Sequence, residues 1–468
     1  MTLFADIVML SWPLLVIALF SRMKSEQAVV VAFVVGWLFL PFKTYEISGL
    51  PDITKMSLTC YAIIAATLIF DLERFTELRP SWCDLPIVLM CIAPAISSLT
   101  NNLGVYDAAS SALAVAVPWA GPYLLGRAYL TDSATVRFAA IALLIGTLAY
   151  LPLCWFEFRM SPKLHAMVYG EGYRSGGLRF GGWRPTVFLN SGLQLGLWMT
   201  TASLTGIWLW WTGVWRRSAG VSAGLLLAAL VATTVLCRSM GALLLLVAAL
   251  AALAWTALFK NRLALAALIL VAPAYILFRA TGDQNWQPAV AAANVISQER
   301  AESLQFRFEN EDILVAKALK QPAFGWGGWG RSRVYDEFGK DISVTDGLWI
   351  IQLGQYGLLG LVALYGMLLT PLVLLIVRFP ARTLVSPELA PVLAFALSAT
   401  LFAIDCLPNA MPNPFYIMTA GGVVSYVAGY RESSIVQSLA APLPQISPRR
   451  PLRRLHAGGP VRSRLERI

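Results

Sequence analysis

Long apolar runs separated by short basic connections dominate this sequence of 468 residues. Most runs approach the roughly 20 residues that a helix needs to cross a membrane. Charged residues make up only 13% of the chain, too few to cover a soluble surface of this size. We therefore exclude a soluble enzyme, a disordered chain and a disulfide-stapled secreted domain, and predict an all-α integral membrane protein with a bundle of about 12–13 transmembrane helices. The runs lie near 3–20, 28–42, 56–70, 85–99, 108–126, 138–158, 186–213, 219–237, 240–258, 263–278, 348–377, 389–404 and 414–430.

The cations between the runs predict the orientation of the chain. Alternate connections carry pairs of Lys and Arg, whereas the short connections between them carry fewer. Because basic loops stay in the cytoplasm, the paired set is predicted inside, with the N-terminus outside and the C-terminus inside. The first run lacks a basic start and contains Asp6, so we do not interpret it as a cleavable signal peptide. The pairs are Arg22 and Lys24, Arg74 and Arg79, Arg127 and Arg137, Arg216 and Arg217, Lys260 and Arg262, and Arg378 and Arg382.

Composition divides the chain into a membrane domain over 1–430 and a Pro- and Arg-rich tail over 431–468. The tail is predicted to be disordered and cytoplasmic. One long periplasmic loop, 279–347, interrupts the membrane domain. Within that loop Gln298–Lys320 lacks Gly and Pro and repeats apolar residues at helical spacing, so we expect a helix there that ends before Pro322.

Neither a metal nor a cofactor is indicated by the sequence. Its six cysteines show no CxxC spacing and mostly fall within apolar runs, and only two histidines are present. We interpret the cysteines as packing residues. The net charge of +10 follows from membrane topology and an outward site, so no nucleic acid is expected as a partner.

Arginines in the outer segments point to an anionic ligand. Arg238 lies between two apolar runs, on the predicted outer side of the membrane. The positive-inside rule gives no reason for a cation there. Guanidinium groups match phosphate oxygens bidentately, so Arg184, Arg238 and Arg307 suit a diphosphate at the outer membrane face. Trp326 and Trp329 either stack against sugar rings or anchor the loop at the membrane interface.

The order of four short motifs resembles the O-antigen ligase/polymerase superfamily of bacterial surface-polysaccharide assembly over roughly residues 180–365. The motifs are Arg184-Pro-Thr-Val-Phe-Leu-Asn190; Cys237-Arg238-Ser239 followed by a leucine-rich run; Arg307 upstream of Lys317-Ala-Leu-Lys-Gln-Pro322-Ala-Phe-Gly325-Trp-Gly327; and Thr345-Asp346-Gly347-Leu-Trp349 leading into Gln355-Tyr-Gly357-Leu-Leu-Gly360.

This resemblance implies a glycosyltransferase of the bacterial inner membrane. Such an enzyme moves a glycan from an undecaprenyl-diphosphate carrier to a hydroxyl acceptor on the periplasmic face, without a metal or nucleotide sugar. Arg238 and Arg307 match the arginines that hold the donor diphosphate, whereas Arg184 and Asn190 match accessory substrate-binding positions. The implied partners are the lipid-linked glycan, a glycan or lipid-linked acceptor, the bilayer and other polysaccharide-assembly proteins.

Asp346 departs from the family pattern, because the ligases typically have a histidine there. A carboxylate can still accept a proton from a sugar hydroxyl. The substitution favours a polymerase of exopolysaccharide or O-antigen repeats over a ligase that acts on lipid A-core. Asp346 also suits the N-cap of a helix starting at Gly347, and both roles stay open.

Other acids are given lesser roles, and functions of other classes remain. We expect Glu309, Glu311 and Asp312 to pair with Arg307 or to face solvent, and Glu157 to pair with Arg159. Asp405 is assigned no role beyond a helix end. A secondary transporter or a polysaccharide flippase is the alternative function, although transporters usually place ionisable residues at mid-membrane.

Overall fold

The computed structural model describes residues 2–47, 51–170, 177–179, 181–218, 220–281, 286–296, 298–328 and 330–440. The chain is 74% helical, which confirms the all-α class. Two short hairpins pair β1 with β2 and β3 with β4. The helices are α1 Leu3–Arg22, α2 Ser25–Phe39, α3 Lys55–Phe70, α4 Glu73–Thr76, α5 Leu85–Thr100, α6 Val105–Val115, α7 Gly121–Tyr129, α8 Ser133–Met160, α9 Leu164–Tyr169, α10 Gly192–Trp211, α11 Ala223–Leu236, α12 Met240–Phe259, α13 Leu263–Ala280, α14 Gln287–Ile296, α15 Gln298–Ala318, α16 Leu348–Arg378, α17 Ala381–Leu384, α18 Ala390–Asp405 and α19 Pro414–Ala440. The strands are β1 Leu178–Arg179, β2 Gly182–Trp183, β3 Arg217–Ser218 and β4 Val221–Ser222.

Seven helical stretches within the described residues are long and apolar enough to cross a membrane. Four shorter apolar helices accompany them. The protein is therefore membrane-embedded, as its composition predicts. The total of 12–13 spans remains a prediction. The seven stretches are Leu3–Arg22, Trp82–Thr100, Val105–Tyr129, Ser133–Met160, Met240–Phe259, Leu263–Ala280 and Leu348–Arg378.

Contacts between the connections sort them into two sets. In one set the amide nitrogen of Phe42 donates to His165 at 3.2 Å, and Asn101 donates to the carbonyl of Gly325 at 2.9 Å. In the other set, the connections that carry the predicted basic pairs contact one another. Arg127 donates to Asp84, and Arg137 donates to the carbonyl of Val214. The connections predicted to share a side therefore contact one another. We call the end with the described residues of 41–55, 100–107, 159–185, 279–347 and 405–413 the site end.

Helix α18 is the centre of the bundle. Nearly all of its side chains are buried, and it packs against α8, α10, α12, α13 and α16. A helix that is apolar all round is stable only in such a buried position. Its last residue, Asp405, consequently reaches the site end as a buried carboxylate.

Helix α16 is broken at Gly357, and the segment that precedes the helix fills the break. Gly357 has φ of +64°, and a Cβ there would lie 2.5 Å from the backbone of Ala323. The amide of Trp326 donates to the carbonyl of Gly354 at 2.9 Å, and the amide of Leu358 donates to the carbonyl of Pro322 at 2.7 Å. The backbone groups freed by the break are thus satisfied by the loop.

Contacts within the chain define a compact unit over Met1–Gly429 and a second unit from Tyr430 onward. Helix α19 continues to Ala440, ten residues past the predicted last residue of the membrane domain, 430. Residues 441–468 of the predicted tail lie outside the described residues.

Candidate functional site

Arg307 and Asp346 form an ion pair at the site end. Arg307 Nε lies 3.7 Å from Asp346 Oδ2, and Arg307 Nη1 donates to the carbonyl of Pro408 at 2.7 Å. The side chains are 30% and 41% exposed, so both remain accessible to a ligand. Two of the predicted site residues, separated by 39 positions, are therefore adjacent (346 − 307).

The predicted helix that bears Arg307 is present as α15, and a buried clamp fixes it to the membrane domain. Arg279 Nε donates to Glu311 Oε2 at 2.9 Å, and Arg279 Nη2 lies 2.8 Å from Asp312 Oδ1. Glu311 also accepts hydrogen bonds from Tyr275 at 2.8 Å and Trp349 at 3.3 Å. The prediction that Glu311 pairs with Arg307 or faces solvent is wrong, because Arg279 from the end of α13 pairs with its buried carboxylate. Asp312 is exposed, as its solvent-facing alternative predicted, and it also pairs with Arg279.

Glu311 lies in a poorly hydrated environment within this clamp. Burial raises the pKa of its carboxyl group above the ordinary value, and hydrogen bonds from Tyr275 and Arg279 oppose this shift. The hydrogen bonds from Tyr275 and Arg279 therefore fix the position of the Glu311 carboxyl group. We infer that the clamp fixes where α15 presents Arg307.

Asp346 is not the N-cap of α16. The N-cap is Gly347, and a Cβ there would lie 2.0 Å from the carbonyl oxygen of Leu407. The amide of Leu348 donates to the carbonyls of Cys406 at 2.9 Å and Asn409 at 3.0 Å. The end of α18 thus satisfies the start of α16, and the Asp346 side chain pairs with Arg307 instead.

Arg184 is buried beside Gly192, where a Cβ would lie 2.5 Å from the Arg184 Nε. Its charge interacts with the carboxylate of Asp405, which also interacts with Arg307. Asp405 accepts a hydrogen bond from Asn409 at 3.2 Å. Asp405 is thus a site residue that the sequence reasoning missed. The sequence feature that could have identified it is an ionisable residue at the end of an apolar run.

Glu157, another buried acid, fixes the segment that follows Arg184. Its Oε2 accepts hydrogen bonds from the amides of Thr186 at 2.8 Å and Val187 at 2.7 Å. Val187 has φ of +54°, which a β-branched residue rarely adopts, and these two hydrogen bonds stabilise that turn. The prediction that Glu157 pairs with Arg159 is wrong, because its carboxylate is fully buried against backbone amides.

Arg238 lies at the tight turn between α11 and α12, with φ of +52°. Its guanidinium donates to the carbonyl of Arg179, and its Cζ lies 5.2 Å from the centre of the Phe158 ring. A Cβ at Gly182 would lie 2.2 Å from Arg238 Nη2, so a larger residue there would displace this guanidinium. The β1–β2 hairpin therefore holds Arg238 against α8.

A mainly apolar cavity of about 350 Å³ adjoins Arg238. Its remaining lining residues are Val235, Leu236, Met240 and Leu243. Val235 is 53% exposed on the outer surface of the apolar helix α11, so the cavity opens where lipid would surround the protein. An arginine thus stands at the mouth of a lipid-facing cavity.

These contacts join the four predicted polar residues into one region. Arg184 lies against Gly192, and Ser239, next to Arg238, lies against Gly196, one turn further along α10. Arg184 is linked through Asp405 to Arg307, which pairs with Asp346. The sequence motifs thus bring together four residues that span 162 positions (346 − 184).

The remaining predicted site residues lie less centrally. Asn190 is exposed just before α10, where its backbone N–H donates to Gln194 Oε1 at 2.9 Å. Trp326 donates through Nε1 to the carbonyl of Lys317 at 3.0 Å, with the Lys317 Nζ 3.9 Å from its ring centre. Lys317 is ten residues along α15 from Arg307, about 15 Å at 1.5 Å per residue. Trp326 therefore packs away from the arginines, and Trp329 lies outside the described residues.

Comparisons with known proteins add no family assignment. Among the described residues, no group of three His, Cys, Asp or Glu side chains is placed to hold a metal ion. No protein-family model matches the sequence, and no curated protein matches it. The resemblance to the O-antigen ligase/polymerase superfamily stays a prediction based on its four motifs.

Proposed function

We propose that this protein is a membrane glycosyltransferase that transfers or polymerises polyprenyl-diphosphate-linked oligosaccharide repeats on the periplasmic face of a bacterial inner membrane. The site end would then face the periplasm. The observation that supports this most strongly is that Arg184, Arg238 and Arg307 share one region of the site end, with Arg238 lining a mainly apolar cavity. A diphosphate attached to an isoprenoid chain requires that combination.

The charge of the site suits the diphosphate. Among its described residues, three guanidinium groups outnumber the carboxyl groups of Asp346 and Asp405, so positive charge is in excess. A diphosphate would offset that excess, and arginine binds its oxygens bidentately while staying charged. The apolar cavity beside Arg238 would take the first part of the lipid, with the rest in the bilayer.

The proposed reaction is a single displacement. A hydroxyl oxygen of the acceptor attacks the anomeric carbon of the donor sugar, and the bond from that carbon to the diphosphate oxygen breaks. The electron pair leaves with the diphosphate, which Arg307 stabilises, and the hydroxyl proton passes to the Asp346 carboxylate. Attack and departure occur on opposite faces of the anomeric carbon, so the Arg307–Asp346 pair, 3.7 Å apart here, would separate on substrate binding, with Asp346 at the acceptor and Arg307 at the diphosphate. A single displacement inverts the anomeric configuration.

Purified protein with a lipid-linked repeat unit and no added metal tests the proposal. We expect longer glycans, and we expect Arg307→Ala or Asp346→Asn to slow extension by about 10²-fold or more. Arg331→Ala is the matched control, since Arg331 is an exposed arginine of the same loop, 3.8 Å from Asp107. Full extension by both Arg238→Ala and Arg307→Ala would refute the assignment.

Products distinguish a polymerase from a ligase. Asp346 in place of the histidine typical of the ligases supports polymerisation. A polymerase yields a ladder of lipid-linked glycans of increasing length, whereas a ligase needs lipid A-core and adds to it once. We expect the ladder without lipid A-core.

A further inference from the structure

A polar cleft of about 420 Å³ lies between α14 and α15 in the outer loop. Four amide side chains and one carboxylate line it, and the other lining residues are small and apolar. The polar residues are Gln287, Asn294, Gln298, Glu302 and Gln305. The cleft lies within the range of roughly 300–1,000 Å³ typical of small-molecule sites. No role is assigned to it by the proposed reaction.

The polar residues occupy positions that normally form an apolar seam between two helices. On α14, Gln287 and Asn294 are seven residues apart, and on α15 Gln298 and Gln305 repeat that interval. Helices usually bury apolar side chains at this spacing. Here amides alternate with Val290, Ala291 and Ala301 along the seam, while Val295 of α14 is 89% exposed. If the two helices closed this seam, the amides would be buried without hydrogen-bond partners, which costs free energy. An open cleft that a polar ligand can fill is therefore favoured.

Hydroxyl-rich, uncharged molecules match this lining. A carboxamide both donates and accepts hydrogen bonds, as does a sugar hydroxyl group. None of the residues that line the cleft in the described part of the chain is cationic, so a phosphate or other anion is disfavoured. Gln298 donates to Glu302 at 2.8 Å, which orders part of the lining before any ligand binds.

We infer that the α14–α15 cleft binds an oligosaccharide. Arg307 follows Gln305 by two residues and therefore projects from nearly the opposite side of α15, roughly 10 Å away across the helix. Only a glycan extended beyond the reacting sugar reaches the cleft. Its identity as the growing product rests on the proposed function, whereas oligosaccharide binding does not. The cleft would then hold a lengthening chain between additions.

Saturation-transfer NMR on the purified full chain in detergent tests the binding, with maltotriose, triacetylchitotriose and trigalacturonate as probes. We expect at least one neutral probe to bind, and Asn294→Leu with Gln305→Leu to weaken its binding about tenfold or more. Gln321→Leu, an amide of the same loop outside the cleft, should bind like the parent protein. The single variant Gln298→Ala serves if the double variant unfolds.

Binding of no probe, or equal binding by the cleft variants, overturns the inference. Preferential binding of trigalacturonate overturns the exclusion of anions. In the extension assay, the cleft variants should shorten the products while the first addition keeps its rate. Binding without any transfer by the parent protein would refute the proposed function alone, and transfer without binding would refute the cleft alone.

Discussion

The clamp between Arg279 and Glu311 should contribute strongly to stability. Both side chains are buried, with 2.9 Å between Nε and Oε2. At an effective dielectric constant of about 20 their gross attraction is about 6 kcal/mol, which offsets the cost of removing both charges from water. Arg279→Met leaves the buried Glu311 carboxylate without its cation. We expect this change to lower the free energy of unfolding by about 3–5 kcal/mol.

A double-mutant cycle isolates the coupling. Glu311→Leu alone should also destabilise, whereas Arg279→Met with Glu311→Leu should cost less than the sum, since no buried charge is left unpaired. Unfolding by denaturant titration in detergent measures each free energy. Arg331→Met is the control, because its pair with Asp107 is exposed and should contribute at most about 1 kcal/mol. If the double variant loses as much unfolding free energy as the two single variants together, Arg279 and Glu311 are not coupled and the clamp is refuted.

The clamp should also affect catalysis at a distance. Arg279→Met leaves the Arg307–Asp346 pair chemically intact but releases the helix that presents it. We expect the extension rate at saturating donor to fall more than tenfold, since misplacement by about 1 Å is costly. An unchanged rate in a folded Arg279→Met variant would contradict this positioning role.

Gly347→Ala should destabilise the protein by about 1–3 kcal/mol in the same titration and slow extension, because its Cβ would lie 2.0 Å from the Leu407 carbonyl oxygen. An equal free energy of unfolding would contradict this. Gly182→Ala should displace Arg238 and raise the apparent KM for the lipid-linked donor, and an unchanged KM would contradict the assigned contact. The hydrogen bond from Arg333 holds the pKa of Asp341 below its ordinary value. Its stabilisation should be full above pH about 4 and lost as the pH falls through the lowered pKa, measured by hydrogen exchange over 331–345. Asp341→Asn should abolish that pH dependence.

Local patterns predicted the helices because hydrophobic length and periodicity act over neighbouring residues. The apolar runs correspond to the observed helices, and Gln298–Lys320 is helical through Ala318. Motif order also identified Arg307 and Asp346, which are paired. These features depend on composition and on short segments.

The missed features depend on pairing between distant segments. Asp405 acquires its role only where α18 ends beside Arg184 and Arg307, and Glu157 acquires its role from amides about 30 positions away. The position of Trp326 depends on such a pairing as well, because its amide docks into the break in α16. No single-sequence pattern specifies such contacts.

Glycan extension by the purified chain alone tests most directly whether the protein is a glycosyltransferase. A lipid-linked repeat unit is supplied in detergent without metal, and product length is compared for the parent protein, Arg307→Ala and Arg331→Ala. We expect long products from the parent protein and Arg331→Ala, with almost none from Arg307→Ala. Equal products from all three proteins, or no extension by the parent protein, would contradict this assignment.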